Sequence, residues 1–77
     1  MTQAARRFLS EAHRNWDDAA WEERVRNNLC DLDVAAIGAY AEEYGEDPVT
    51  AEDEVMVAVR NKVDYDRTGT WPVHRGP

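Results

Sequence analysis

Apolar residues recur at helical spacing in four short segments of this chain, and that periodicity constrains the fold more than any other feature. In the first segment, for example, Phe8, Ala12 and Trp16 lie about one helical turn apart. The four apolar stripes occupy residues 5–16, 21–32, 34–44 and 55–63. We therefore predict an all-α fold, a compact array of three or four short helices.

The boundaries between the helices are predicted from the phase of the stripes and from capping residues. On a common helical wheel the first two stripes lie on opposite sides, so a turn near Asp17 and Asp18 is expected to separate them. Asp33 is the predicted N-cap of the third helix, and Gly45 is its predicted end. Thr50 is the predicted N-cap of the fourth helix.

The segment from Val55 to Val59 has a second interpretation, because it alternates like a strand and is rich in β-branched residues. We favour a helix there, since a capping residue precedes it and the apolar stripe is long. Beyond Val63 the composition changes to turn-forming residues. The prediction is therefore a single small helical domain over residues 1–63, followed by an irregular C-terminal tail over residues 64–77.

The small size of the chain limits how its fold can be stabilised. A chain of 77 residues buries only about 60% of its unfolded surface. Cys30 is the only cysteine, which rules out an internal disulfide, and His13 and His74 lack the spacing of a zinc site. We expect no metal and no cofactor, so self-association, for example as a homodimer, is the remaining stabiliser. Trp16, Trp21 and Cys30 are predicted core residues.

The compartment is predicted from the lone thiol and from the hydropathy pattern. A single unpaired cysteine fits a reducing environment. The N-terminal segment has no apolar run of signal-peptide length, and no stretch approaches the roughly 20 apolar residues that span a bilayer. We expect a cytoplasmic protein without a membrane segment.

Charge is distributed unevenly along the chain, whose net charge is −7. No Lys or Arg lies between Arg26 and Arg60, whereas Arg6, Arg7 and Arg14 lie at the other end of the chain. The acids in that window are Asp31, Asp33, Glu42, Glu43, Glu46, Asp47, Glu52, Asp53 and Glu54.

Two interpretations of this acidity are open. Several of the acids stand where helix N-termini favour negative charge, which predicts a solvated face. The other interpretation is an interaction surface, because uncompensated charge steers association with basic partners. The residues predicted to bind a partner are four acids without a neutralising neighbour, two tyrosines one turn apart and a tail tryptophan: Glu42, Glu43, Glu46, Asp47, Tyr40, Tyr44 and Trp71.

Catalysis and direct nucleic-acid binding find little support in the sequence. Ser10 lies three residues from His13, but no third group completes a nucleophilic site. The segment Asp64–Gly69 matches the opening of a calcium-binding EF-hand loop, yet Arg75 replaces the bidentate glutamate, so an Asx-turn is predicted instead. A phosphate-binding patch needs clustered Lys and Arg, which are absent. We expect a non-enzymatic protein.

In size, charge and predicted helicity, the chain is similar to the short acidic proteins that phages and mobile elements use as inhibitors, including anti-CRISPR proteins and nuclease immunity proteins. That similarity implies a protein that occupies a basic site on a protein partner, such as a nucleic-acid-binding protein whose phosphate site the carboxylates imitate. The alternative is a structural or accessory subunit held by hydrophobic contacts. Those contacts would come from Trp71 and from three small residues of the third helix, Ala35, Gly38 and Ala39. The other interpretation of Trp71 is that it folds back onto the helices of its own chain.

Overall fold

The computed structural model describes residues 1–69, which form four helices and contain no strand. The helices are α1 (Gln3–Asn15), α2 (Asp18–Asn27), α3 (Asp31–Tyr44) and α4 (Pro48–Thr68). The prediction of an all-α fold is therefore confirmed, and the ambiguous segment 55–59 lies within α4. None of these helices combines the length and the apolar character needed to cross a membrane.

Short polar side chains begin the helices, and glycines in the left-handed conformation end two of them. Thr2 caps α1 by accepting a hydrogen bond from the backbone N–H of Ala5 (3.1 Å), and Asp17 caps α2 in the same way. Gly45 ends α3 at φ 69° and Gly69 ends α4 at φ 78°. Glycine reaches such positive φ values without the steric cost of a Cβ atom.

The predicted N-caps of α3 and α4 were wrong by a few residues. Asp33 lies inside the first turn of α3, where its carboxylate accepts a hydrogen bond from the backbone N–H of the true N-cap, Cys30 (3.1 Å). Asp47 rather than Thr50 caps α4, and Pro48 is its first residue. Proline suits that position because it has no N–H to leave unpaired and its φ is already helical.

Helix α4 continues five residues past the predicted end of the domain at Val63, so the segment 64–68 is helical rather than part of an irregular tail. An i,i+4 ion pair between Lys62 and Asp66 (2.6 Å) supports this extension. The Thr68 hydroxyl also donates to the Asp64 carbonyl (2.8 Å). The predicted Asx-turn is therefore absent, and no cluster of three potential metal ligands exists within residues 1–69.

The core lies where α1, α3 and α4 pack against one another, with α2 packed on α4. Alanines allow close helix contacts, and larger residues fill the centre. The buried apolar residues are Ala4, Ala5, Phe8, Ala12, Trp21, Ile37, Ala41, Ala51, Val55, Val59 and Val63. Trp21 is buried and Trp16 packs partly buried against it, which confirms the prediction that both belong to the core.

Two residues of the segment 21–32 lie on the surface: Leu32, which ends the second apolar stripe, and Cys30, which was a predicted core residue. Helix α2 ends at Asn27, and Asn28 adopts a positive φ of 68° that redirects the chain. Helix α3 then begins early enough to place Leu32 in its first turn, on the outer face, where 82% of the residue is exposed. Cys30 is also exposed because it caps α3 at the surface. The second apolar stripe was thus wrongly extended across a helix boundary.

Candidate functional site

The fold brings the acidic segment together with the N-terminus of α1. Carboxylates from the end of α3, from the following turn and from the start of α4 contact the first two turns of α1. We call this surface the acidic end. Its acids are Glu42, Glu43, Glu46, Asp47, Glu52, Asp53 and Glu54.

Two of these carboxylates hold the N-terminus of α1. Glu46 accepts hydrogen bonds from the backbone N–H groups of Gln3 and Ala4, both at 2.9 Å. Glu54 accepts one from the backbone N–H of Thr2 at 2.7 Å, and this hydrogen bond lowers the pKa of Glu54. The first N–H groups of a helix have no partner within it and carry partial positive charge. Glu46 and Glu54 therefore act as distant caps of α1.

Asp47 has a comparable structural role in α4. Its carboxylate accepts hydrogen bonds from the hydroxyl of Thr50 (2.7 Å) and from the backbone N–H of the same residue (3.0 Å). These bonds, led by the one from the hydroxyl, lower the pKa of Asp47. Asp47 therefore carries its negative charge in a fixed position at the start of α4.

Glu43 is partly neutralised, contrary to the expectation from sequence. Arg7, which lies far away along the chain, pairs with Glu43 at 3.2 Å. The guanidinium group of Arg7 also lies 4.1 Å from the centre of the Tyr40 ring and donates to the Tyr44 hydroxyl at 3.5 Å. Packing of α1 against α3 creates these contacts, which no local sequence pattern indicates.

The two predicted tyrosines differ in accessibility. Tyr40 is partly buried, and its hydroxyl donates a 2.6 Å hydrogen bond to Glu11, which raises the pKa of Tyr40. Tyr44 remains exposed beside Arg7. Tyr40 thus links α1 to α3, whereas Tyr44 presents more of its ring to solvent. Partner binding by either ring stays a prediction.

Three acids of this surface have no partner within residues 1–69. The side chains of Glu42, Glu52 and Asp53 make no hydrogen bond or ion pair there, and Glu42 and Asp53 are exposed. The cations that α1 brings to this surface are Arg7, which pairs with Glu43, and Arg6, which lies near Glu54. Seven acids therefore outnumber the nearby arginines, and the acidic end keeps a net negative charge.

Asp33 belongs to the acidic segment of the sequence but not to this surface. It is buried and pairs with Arg24 at 2.9 Å. Burial alone would raise the pKa of the Asp33 carboxyl, but hydrogen bonds from Arg24 and from the backbone N–H of Cys30 outweigh it, so the pKa is lowered. Asp33 therefore stabilises the junction of α2 and α3.

The remaining predicted features lie elsewhere. The outer face of α3 exposes Ala35 and Ala39, and a Cβ atom at Gly38 would meet no other atom within 4 Å. Ser10 accepts a hydrogen bond from Arg14 (3.5 Å), while the His13 ring lies against Trp21 at 4.9 Å. The small-residue face is thus open to solvent. Trp71 lies outside the described residues.

One further surface was not predicted, an apolar groove of about 490 Å³ between α1 and α4. Leu9 from α1 and Val57, Ala58 and Tyr65 from α4 contribute to its walls, together with Met1. Because the groove joins residues from opposite ends of the chain, no local pattern indicates it.

A search of protein families, curated proteins and solved structures found no match to this chain.

Proposed function

We propose that this chain is a non-enzymatic binding protein whose acidic end occupies a basic site on a protein partner. The observation that supports this proposal is the group of acids without a partner in residues 1–69, Glu42, Glu52 and Asp53, on a surface that keeps a net negative charge. Such uncompensated charge repels itself within the chain but attracts and orients a basic partner.

The internal contacts of the neighbouring acids suit this role. Glu46, Asp47 and Glu54 are held by helix N-termini, so their charges have fixed positions before a partner arrives. A preorganised surface loses less conformational entropy on binding than a flexible one. Carboxylates fixed in this way can imitate a row of phosphates, so we propose a nucleic-acid-handling protein as the partner. This is the mode of action expected for an inhibitor of the anti-CRISPR or immunity-protein kind.

The structure changes which substitutions test the proposal. Glu46 and Asp47 support helices, so replacing them would disturb the fold together with the surface. The double variant Glu42→Gln/Asp53→Asn removes only charges that have no partner among the described residues. The matched control is Asp18→Asn/Glu23→Gln, which removes the same charge from exposed positions on α2.

The experiment is to capture partners on the tagged full chain at low and at high salt, and then to measure affinity for the captured partner. We expect binding to weaken as salt rises, because exposed charges are screened. The double variant should bind about fivefold more weakly, since each exposed charge pair contributes about 0.5 kcal/mol. The control on α2 should bind like the natural chain. Equal binding by both double variants, or binding that salt does not affect, contradicts the proposal.

A structural or accessory subunit is the second candidate, and the outer face of α3 favours it. Leu32 is 82% exposed there, and the small residues beside it let another helix approach closely. Under this alternative, Leu32→Gln and Gly38→Leu should abolish a salt-resistant association, while the double variant of the acidic end leaves it unchanged. Analytical ultracentrifugation, alone and with the captured partner, distinguishes the two candidates.

A further inference from the structure

The apolar groove between α1 and α4 is a surface that the four helices of residues 1–69 leave uncovered. Val57 is 54% exposed and Met1 is 59% exposed, although both are apolar and line the groove. Leu9 of α1 and Ala58 of α4 line it with them. Apolar surface of this kind is stabilised when another protein surface covers it. The charges along the groove indicate which surface fits there.

The α4 wall of the groove has the dimensions of a helix-binding face. It runs from Glu54 to Asp66, with lining residues at helical spacing. This stretch covers about 18 Å of the helix axis, or somewhat more than three turns. A second helix of similar length can lie along it, and α4 itself, with 21 residues, is long enough to do so.

The same wall is complementary to itself in charge. Ala58 is the middle residue of α4, with Glu54 one turn before it and Lys62 one turn after it, and all three line the groove. If two such helices pack antiparallel across a two-fold axis at Ala58, Glu54 of each copy lies level with Lys62 of the other. The small side chain of Ala58 lets the two helix axes approach closely where they cross.

The charge of α4 as a whole favours the same antiparallel orientation. Residues 48–59 carry three acids and no Lys or Arg, whereas residues 60–68 carry three basic residues and two acids. An antiparallel pair places the negative half of one helix beside the positive half of the other. It also holds the two acidic ends at opposite ends of the dimer, whereas a parallel pair would bring these like charges together, which opposes association.

Both charged side chains have the capacity for a second partner. The Lys62 ammonium donates to Asp66 at 2.6 Å, and an ammonium group has three N–H donors. Glu54 accepts from the backbone N–H of Thr2 at 2.7 Å, and a carboxylate has about four acceptor positions. Each group is already oriented by its internal contact, so a further contact costs less conformational entropy.

We propose that a second copy of this chain fills the groove, with the two α4 helices antiparallel and crossing at Ala58. Glu54 of each copy then pairs with Lys62 of the other, and Val57 and Leu9 lose their contact with water. This arrangement assigns a surface to the self-association that the small size of the chain predicts. A face of about three helical turns is small for a stable interface, so the dimer should be in reversible equilibrium with the monomer.

The first experiment measures the association of the full chain by analytical ultracentrifugation over a range of concentrations. We expect a monomer–dimer equilibrium. Val57→Glu places an unpaired charge in the covered groove and should weaken dimerisation at least about tenfold. Val49→Glu is the matched control and should dimerise like the natural chain, because Val49 is an exposed valine of α4 outside the groove. Circular dichroism verifies that each variant is folded.

A charge exchange tests the antiparallel pairing. Lys62→Glu and Glu54→Lys each place like charges opposite each other twice in a dimer, so each variant alone should dimerise about thirtyfold more weakly. A mixture of the two variants restores opposite charges at both positions. It should therefore form a heterodimer about as stable as the natural dimer, a recovery that damage to the fold of either variant would not produce.

Cross-linking tests the crossing point with a smaller change to the charges. In a Cys30→Ser background, Ala58→Cys should form a disulfide between copies on mild oxidation, because residue 58 lies on the two-fold axis. Val49→Cys is the matched control and should not form one, since the antiparallel arrangement places the two copies of residue 49 at opposite ends of the dimer.

Three results would overturn the proposal. A natural chain that sediments as a monomer up to millimolar concentration leaves the groove to a different protein. Loss of the dimer in Leu32→Gln but not in Val57→Glu moves the interface to the outer face of α3. A dimer in which Val49→Cys cross-links and Ala58→Cys does not has a different orientation.

Discussion

The two ends of the molecule use charge in opposite ways. At the acidic end, exposed or partly exposed carboxylates accept hydrogen bonds from the N–H groups of helix N-termini, as Glu46 does at α1. At the other end, which we call the aromatic end, cations lie over buried or half-buried rings. Arg24 is 4.2 Å from the Trp16 ring centre, and Lys62 is 4.8 Å from that of Trp21. Arg24 also pairs there with Asp33.

The two ends differ in solvent exposure. We therefore expect the aromatic end to contribute mainly to stability and the acidic end mainly to binding. At the aromatic end, the rings of Trp16, Trp21 and Phe8 exclude water. The cation–ring contacts and the ion pair there are stronger than the same contacts would be in water, because the surroundings are less polar. At the acidic end, water screens most of the charges, so their contribution to folding is small. We therefore expect substitutions at the aromatic end to affect folding most, and substitutions of acids such as Glu42 to affect it least.

The largest effect is expected from Trp21→Ala. Trp21 is 3% exposed, and removing its ring leaves a cavity where α2 packs on α4, so the free energy of unfolding should fall by about 3–5 kcal/mol. Urea denaturation followed by circular dichroism measures this loss. The control is Leu32→Ala, whose side chain lies in solvent and whose removal should change stability by less than about 0.5 kcal/mol. Similar losses in the two variants would contradict the assigned core.

A smaller effect, and one that depends on pH, is expected from Asp33→Asn. At pH 7 the variant leaves the half-buried Arg24 without its anionic partner, and stability should fall by about 2 kcal/mol. The folded-state pKa of Asp33 is lowered, so its charge stabilises the fold above the ordinary pKa, near 4. That contribution is lost as the pH falls through the folded-state pKa.

The difference in stability between the natural chain and Asp33→Asn should therefore narrow steadily below about pH 4. Urea titrations at pH 7, 4 and near 2.5 measure this convergence. Asp47 and Glu54 also have lowered pKa values, so both chains should lose stability in acid. A difference between the two chains that persists unchanged in strong acid would show that the charge of Asp33 is not what stabilises the junction.

The smallest effects are expected within the acidic end, where they sharpen the distinction between acids that cap a helix and acids that do not. Glu46→Ala removes the acceptor of two backbone N–H groups of α1 and should lower stability by about 1 kcal/mol. Glu42→Ala removes a charge without a partner in residues 1–69 and should change stability by less than about 0.5 kcal/mol. Hydrogen exchange at Gln3 and Ala4, whose N–H groups donate to Glu46, should accelerate only in Glu46→Ala. Equal protection in both variants would contradict the capping role.

Local patterns predicted much of the fold. The apolar stripes of Phe8, Ala12 and Trp16, and of Val55, Val59 and Val63, correctly predicted helices with those residues toward the interior. The boundaries at Gly45 and near Asp17 were also correct, because the left-handed glycine and the Asp17 cap each act within their own turn of the chain. The predictions failed at two kinds of place. The second apolar stripe was extended across a helix boundary to Leu32, and the turn-forming residues beyond Val63 extend α4 instead of ending it.

For the candidate site, the sequence showed the excess of acids and their lack of basic neighbours along the chain. It could not show that α1 would pack beside α3 and bring Arg7 to Glu43. That same packing gives Glu46 and Glu54 the unpaired N–H groups of another helix, which no window of sequence contains.

The amino-acid sequence was sufficient to predict a small helical protein with its negative charge concentrated between Asp31 and Glu54. Helical periodicity and charge are local properties, and they survive any arrangement of the helices. The packing of the helices, by contrast, sets which acids contact the N-terminus of another helix and which remain exposed. That outcome depends on distances between segments as far apart as Thr2 and Glu54, which are set when the apolar faces of the helices are buried together.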